Sequence, residues 1–302
     1  MTVPTPLEPA PAALGHPRLF LKREDTHELG AFKWRGALPT LERYKAKGAT
    51  TVVTASTGNH GAATAWAAQR LGLRAVVYAP EGSSRAKLDR IEALGGDVRI
   101  VGADVDDAKD EARAVADREG FPFFEDGAER EQYDGYGTIA LELDEQLDEP
   151  PAAVVVPVGN GALVGGIGIE AVRLWPGCQI VAVAAREAPV MADSWEAGYV
   201  VTSDRSATFA DGMAVRVAIP LAVNVLGEVV SRFVTVSERA IAAAVGALWR
   251  EGIRIEGSAA APLAALPQLE DVDGPVVLVI TGCNIDDDLF TRVVERPDSF
   301  PD

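Results

Sequence analysis

One lysine near the start of the chain has aromatic and basic neighbours. Lys33 lies between Phe32 and Trp34 and two residues before Arg35. A lysine that forms imines with carbonyl compounds must spend time uncharged, and partial burial or a nearby positive charge favours the uncharged form. The sequence therefore makes Lys33 a candidate nucleophile. The competing interpretation, an ordinary surface lysine on an amphipathic helix, is favoured if this segment is taken alone.

A polar loop is predicted between a strand at residues 51–54 and a helix at residues 61–71. Small hydroxylated residues and backbone N–H groups at the start of a helix form a binding site for a carboxylate or a phosphate. A simple helix cap is the alternative, but a cap needs only one polar side chain. We therefore expect this loop to bind an anionic group. It consists of Ser56, Thr57, Gly58, Asn59 and His60.

A glycine-containing loop is predicted between a strand at residues 153–156 and a helix at residues 164–174. Its members are Gly159, Asn160, Gly161, Ala162 and Leu163. Glycines there let successive backbone N–H groups converge on a phosphate, assisted by the helix dipole. A dinucleotide site is the alternative. A dinucleotide site requires the motif G-x-G-x-x-G, whereas the chain has G-x-G-x-x-x-G ending at Gly165. Glu187 is the only candidate for the acidic residue that binds the ribose.

A fourth polar segment follows the predicted core strand at residues 276–280. Thr281 stands at the carboxyl end of that strand, where its hydroxyl is suited to a hydrogen bond with a buried ring nitrogen. A plain turn explains the segment equally well, since Gly282 and Asn284 are chosen in turns for their backbone freedom. The segment alone leaves both interpretations open.

Taken together and in this order, the four segments resemble the fold-type II enzymes that depend on pyridoxal 5′-phosphate (PLP), also called the tryptophan synthase β-subunit family. Within it, the pattern is similar to the threonine/serine dehydratases and serine racemases. Further matching motifs lie at residues 137–142, 210–214 and 256–260, and the resemblance extends over residues 19–287. It implies an α/β fold with two lobes, each a mainly parallel sheet flanked by helices, and PLP in the cleft between them.

The resemblance also implies how the cofactor is bound. Lys33 would carry PLP as a Schiff base and later move the α-proton of the substrate. Phe32 would lie near the cofactor ring, and Asn59 would bond its phenolic oxygen. Residues 159–163 would wrap the phosphate, and Thr281 would contact the pyridine nitrogen. A hydroxyl there, in place of a carboxylate, would leave that nitrogen largely unprotonated and favour elimination over transamination.

The implied activity is β-elimination of water from a small hydroxy amino acid such as L-threonine or L-serine, giving a 2-oxo acid and ammonia. Residues 56–60 would bind the substrate carboxylate, with Thr57 as a second catalytic residue. Dehydratases often have Ala and racemases Ser at the position of Thr57, so the substrate stays open. The alternatives are threonine synthesis, β-replacement, serine racemisation and ammonia loss from diaminopropionate. Two alternatives belong to other classes of protein: a nicotinamide-dependent oxidoreductase and a binding protein without PLP.

Two departures from the family pattern concern the site itself. Ala31 replaces the usual Ser before Phe-Lys. Asn160 and Ala162 interrupt the run of glycines that the family has in its phosphate loop, but the backbone N–H donors of the loop are kept. Racemases carry an acidic metal ligand after the strand near Val183, and the chain has Ala184 there. We therefore expect no metal site.

The elements that position these residues alternate between short β-branched runs and Ala-rich helices, which indicates βα units around parallel sheets. Residues 1–40 and 136–302 are predicted to form a large PLP-binding lobe, and residues 41–135 a small lobe carrying the asparagine loop. Residues 188–217 show no clear period and are predicted to lie on the surface without regular structure. The charged, glycine-containing stretch at residues 121–137 is a plausible crossing point between the lobes.

Composition narrows the classes of protein further. A formal net charge of −17 argues against a nucleic-acid partner, because phosphate backbones require a basic face. No apolar run is long enough for a membrane helix, and the N-terminus lacks the basic residues of a secretory signal. The two distant cysteines, Cys178 and Cys283, give no disulfide framework and favour the cytoplasm. A homodimer is expected from the resemblance.

Overall fold

The computed structural model describes residues 3–203, 206–269 and 271–302. Within this part the chain divides into two compact units. The larger unit combines Met1–Phe32 with Tyr136–Asp302, and the smaller unit is Lys33–Gly135. The assignment of PLP binding and of the asparagine loop to separate lobes stays a prediction.

The strands of the described residues are β1 Leu7–Pro9, β2 Leu19–Arg23, β3 Thr51–Ala55, β4 Arg74–Ala79, β5 Gly96–Ile100, β6 Ala153–Pro157, β7 Gln179–Ala185, β8 Arg232–Val236 and β9 Val276–Ile280. The helices are α1 Trp34–Ala46, α2 Asn59–Leu71, α3 Arg85–Ala93, α4 Val105–Glu119, α5 Arg130–Gln146, α6 Ala162–Leu174, α7 Val190–Ala197, α8 Pro220–Val229, α9 Glu238–Arg250, α10 Gly257–Ala265 and α11 Asp287–Glu295. This alternation of strands and helices confirms the predicted α/β class.

The larger unit contains a sheet in the order β1-β2-β9-β6-β7-β8, in which the described pairs are parallel except for β1 with β2. Every residue of β6 and β9 is buried. Continuous Val and Ile runs of this kind are typical of strands covered by helices on both faces. Because β6 and β9 are parallel neighbours, the residues that follow them emerge at the same edge of the sheet.

The smaller unit contains the parallel sheet β3-β4-β5. Residues 122–124 extend it beside β3: the N–H of Val53 donates to the carbonyl of Pro122 at 3.0 Å, and the N–H of Phe124 donates to the carbonyl of Val53 at 2.7 Å. The pairing of Val53 with Phe123 is parallel. The loop after β3 and the loop after Phe124 therefore leave the sheet at the same edge.

Most predicted elements are confirmed, and two of the helices begin with a side-chain cap. The Asp104 side chain accepts the N–H groups of Asp106 and Asp107 at the start of α4, and Ser237 accepts that of Ala240 at the start of α9. The prediction of an irregular segment at residues 188–217 is wrong in part, since α7 lies within it. No helix in the described ranges is long and apolar enough to cross a membrane.

Candidate active site

The loop between β6 and α6 exposes backbone N–H groups at a helix start. Gly161 precedes the helix with φ of +89°, a conformation that L side chains rarely adopt. The N–H of Ala162 donates to Oδ1 of Asn160 at 3.0 Å, so Asn160 closes the turn. The remaining N–H groups of the first helical turn have no acceptor within the helix. This geometry suits an anion.

Gly159 comes so close to another backbone segment that it leaves no room for a side chain. A Cβ atom on Gly159 would lie 2.2 Å from the carbonyl oxygen of Gly212, and one on Gly212 would lie 2.7 Å from Oγ of Ser258. The backbone of the loop therefore packs directly on the backbone of the neighbouring turn. Glycine is required at position 159 for this close approach, because the opposing atom belongs to the backbone.

Thr281 follows β9 at the sheet edge where the loop after β6 also emerges. Its side chain is 2% exposed, and its Oγ1 atom has no hydrogen-bond partner among the described residues. The N–H of Phe32 donates to the carbonyl oxygen of Thr281 at 3.1 Å. The ring of Phe32 packs on that of Tyr136 with centroids 5.1 Å apart. A buried hydroxyl without a partner indicates that another group binds there.

In the smaller unit, residues 56–60 form a tight turn from β3 into α2. The N–H of Gly58 donates to Oγ of Ser56 at 3.2 Å, and α2 begins at Asn59. A Cβ atom on Gly61 would lie 2.4 Å from the carbonyl oxygen of Ser56, so the first helical turn packs directly on the loop. Thr57, like Ser56, Gly58 and Asn59, is half-buried.

Lys33 immediately precedes α1, and its side chain is 15% exposed. Its Nζ atom lies 2.6 Å from Oδ2 of Asp126. The other carboxylate oxygen of Asp126 accepts a hydrogen bond from Nε2 of Gln132 at 3.0 Å. Asp126 and Gln132 were missed from the sequence. The proximity of Asp126 to Lys33 depends on the pairing of residues 122–124 with β3, for which the local sequence gives no signal.

His60 is buried at the start of α2, and burial is the main cause that lowers its pKa from 6.5. Its Nε2 atom lies 3.1 Å from Oγ1 of Thr54 and 3.2 Å from the carbonyl oxygen of Phe124. A carbonyl only accepts, so we assign the proton of the neutral ring to Nε2. Its Nδ1 atom lies 3.5 Å from Oδ1 of Asp126. His60 is therefore a neutral neighbour of the Lys33–Asp126 pair.

The chain belongs to the family described as pyridoxal-phosphate dependent enzyme, which matches residues 2–282. It is 33% identical to an L-threonine ammonia-lyase of Geobacter sulfurreducens, over 94% of this chain and 71% of that protein. It is 32% identical to the biosynthetic L-threonine dehydratase of Salmonella typhimurium, over 92% of this chain and 55% of that protein. The chain thus spans only about half the length of that biosynthetic relative.

The fold is also that of a solved structure. The processed form of threonine deaminase isoform 2 from Solanum lycopersicum superposes with a TM-score of 0.92 at 30% identity, covering 97% of this chain and 88% of that chain. The predicted family, the α/β fold and the dependence on PLP are confirmed by these comparisons. Family membership also favours the phosphate interpretation of residues 159–163 over the dinucleotide interpretation.

The residues of the larger unit fit PLP in two respects. The unpartnered hydroxyl of Thr281 suits a pyridine nitrogen. The loop at residues 159–163 presents backbone donors to an anion and has no space for a side chain at Gly159. These residues would hold the ring nitrogen and the phosphate.

The predicted site residues fall into two groups. In the larger unit, Phe32, Thr281 and residues 159–163 belong to the edge where β6 and β9 end. In the smaller unit, Lys33 and His60 both face Asp126. The individual roles predicted from the resemblance stay predictions.

Proposed function

We propose that the chain is an ammonia-lyase that eliminates water from a small β-hydroxy amino acid, converting L-threonine or L-serine into a 2-oxo acid and ammonia. The observation that carries this proposal is the buried hydroxyl of Thr281, which has no hydrogen-bond partner in the part of the chain that the structure describes. A hydroxyl leaves a pyridine nitrogen largely unprotonated, whereas a carboxylate would hold it protonated. PLP, when bound, supplies an electron sink for the α-carbon.

The residues of the chain supply binding and proton transfer. Lys33 holds the cofactor and moves the α-proton at Nζ. Residues 56–60 present a helix start and two hydroxyl groups, a setting that suits the substrate carboxylate. Thr57 places its hydroxyl in that half-buried turn, where it is available to the substrate. The relatives named as threonine ammonia-lyase and threonine dehydratase support a hydroxy amino acid as the substrate.

The proposal is tested with a panel of amino acids and the purified full chain. L-Threonine, L-serine, 3-hydroxyaspartate and 2,3-diaminopropionate are each scored for ammonia and 2-oxo acid. We expect equal amounts of both products from threonine or serine. Ammonia from diaminopropionate alone, or D-serine without ammonia, would replace the proposal with the corresponding alternative chemistry. Lys33→Ala serves as the inactive control for every substrate.

A homodimer in the cytoplasm is the remaining part of the proposal. The resemblance to the PLP family supports the dimer, and the two distant cysteines support a reducing compartment. Light scattering of the purified chain measures its mass in solution. A mass of one chain at micromolar concentration would contradict the dimer.

A further inference from the structure

A carboxylate at contact distance from Lys33 is not accounted for by the functions assigned above. The 2.6 Å separation of Lys33 Nζ and Asp126 Oδ2 is short even for a charge-assisted hydrogen bond. The side chain of Asp126 is 27% exposed and that of Lys33 is 15% exposed. Partial burial reduces screening by water, so this pair is stronger than a typical surface ion pair.

The carboxylate is held in place by its surroundings in the smaller unit. Residues 122–124 run parallel to β3, which brings Asp126 to the edge where the loop at residues 56–60 begins. Gln132 is fully buried; its amide nitrogen donates to Asp126, and its amide oxygen accepts the N–H of Gly127 at 2.8 Å. Gln132 thus fixes both the side chain and the backbone at this position. Asp126 is therefore held in position to bind a positively charged group.

His60 does not neutralise this carboxylate. Burial keeps the imidazole uncharged by lowering its pKa, and its Nε2 proton faces Thr54 and Phe124. Lys33 supplies a positive charge at 2.6 Å from this carboxylate. The arrangement therefore provides a fixed carboxylate for the Nζ atom of the candidate nucleophile.

We propose that Asp126 is a positioning residue for Lys33, an inference that rests on the proposed function. When the amine of the substrate has displaced Lys33, its Nζ atom is a free amine. The α-carbon–hydrogen bond breaks, its electron pair stays with the substrate, and the proton forms a new N–H bond at Nζ. Asp126 stabilises and orients the resulting ammonium until that proton leaves with the departing hydroxyl as water.

The first measurement does not depend on the natural substrate. Methoxyamine displaces Lys33 from the cofactor carbonyl of the holoenzyme whatever amino acid the enzyme uses, and leaves Nζ free. A limiting acetylating reagent then labels lysines at neutral pH, with exposed Lys47 as the internal reference measured by mass spectrometry. We expect Asp126→Asn to label at Lys33 about tenfold faster than the parent, because Asn offers Nζ only a neutral hydrogen bond in place of the charge-assisted one at 2.6 Å. Labelling of Lys47 should not change.

The second measurement separates kcat from KM on the substrate identified by the amino-acid panel. Asp126→Asn should lower kcat about tenfold, as expected for one lost charge-assisted interaction, with KM within about twofold. Asp126→Glu restores the charge and should recover most of the protection of Lys33 from labelling. Asp134→Asn, an exposed change nearby, is the matched control and should behave as the parent.

Two outcomes overturn the inference: labelling of Lys33 in Asp126→Asn at the parental rate, or an unchanged kcat despite faster labelling. If Asp126→Asn fails to fold, both measurements are made on Asp126→Ser, which also removes the charge and has a smaller side chain. Absence of turnover in the parent would refute the proposed function alone, because the labelling comparison remains decisive for Asp126.

Discussion

The backbone N–H of Phe32 is bonded to the carbonyl oxygen of Thr281, 249 positions later in the chain, at 3.1 Å. The bond joins the residue before Lys33 to the end of the central strand β9. Since Thr281 contributes only its backbone carbonyl, a change of its side chain does not remove this acceptor. Substitutions at Thr281 therefore test the hydroxyl without releasing Phe32.

Replacing Thr281 by Asp should change both the colour and the chemistry of the holoenzyme. A carboxylate at the ring nitrogen would hold that nitrogen protonated, because an opposite charge at hydrogen-bond distance favours the charged form. We expect a shifted cofactor absorbance and an elimination rate about tenfold lower. Thr281→Ser keeps the hydroxyl and should retain the parental spectrum and rate. A parental spectrum in Thr281→Asp would mean that Thr281 does not contact the ring nitrogen.

Borohydride reduction of the holoenzyme should fix the cofactor on Lys33. The reagent reduces a Schiff base to a stable amine, so peptide mapping identifies the lysine that carries it. Lys33→Ala should lose the cofactor label, and its turnover should fall at least about a hundredfold. That factor is the lower end of the rate enhancement that a proton-transferring residue contributes. Lys47→Ala, at an exposed position, should keep both. A label on any other lysine contradicts the assignment.

Much of the fold followed from apolar patterning, and the reason is visible in β6 and β9. Both are apolar, Val-rich runs that are buried along their whole length, and such runs indicate a parallel sheet without knowledge of their partners. Helix α7 was missed because it lies in a segment without apolar periodicity. Its buried positions are Val190, Met191 and Ser194, and the polar Ser194 at a buried position interrupts the apolar pattern of a helix.

The candidate site was predictable where a local motif marks it, as at Lys33 and residues 159–163. Asp126 was not, because its proximity to Lys33 depends on pairing between residues 122–124 and β3, about seventy positions apart in sequence. The sequence marked Gly212 only as part of the family motif at residues 210–214 and gave no sign of its contact with another loop. Its contact with Gly159 requires two separate loops to meet. Long-range pairings of this kind leave no local pattern.

Gly159→Ala should weaken cofactor binding. The new methyl group would lie 2.2 Å from the carbonyl oxygen of Gly212, so one of the two loops must move. We expect at least about a tenfold loss in PLP affinity, or roughly 1.4 kcal/mol, measured by fluorescence titration. Gly177→Ala adds the same methyl group where nothing lies within 4 Å, and is the matched control. Equal affinities in both variants would remove residues 159–163 from the phosphate site.

Ammonia release should survive removal of divalent cations. Ala184 lies in β7 with 1% exposure, and the resemblance to the family aligns it with the acidic metal ligand of racemases. Among the described residues, no group of three or more His, Cys, Asp or Glu side chains is arranged to hold a metal. The measurement is ammonia release before and after a chelator, with magnesium added back. Activity that disappears and returns with magnesium would establish a cation site elsewhere.

The stability of the protein should fall in mild acid because of His60. Burial lowers its pKa below the value of 6.5 in the unfolded chain, an effect strengthened by Lys33 and opposed by Asp126 and Glu125. Below pH 6.5 the unfolded state therefore binds a proton that the native state does not. The contribution of His60 is complete above pH 6.5 and is lost as the pH falls towards its native pKa. The loss grows as the pH falls below 6.5, until the native state also binds the proton.

Urea unfolding of the parent and of His60→Gln between pH 5.5 and 8 isolates this contribution. Other groups also titrate, including Glu238, whose pKa is raised by burial, but they are common to both proteins and cancel in the difference. We expect the difference in unfolding free energy to be constant above pH 7 and to shrink steadily below pH 6.5. Identical slopes for the parent and His60→Gln would show that His60 titrates alike in the folded and unfolded states.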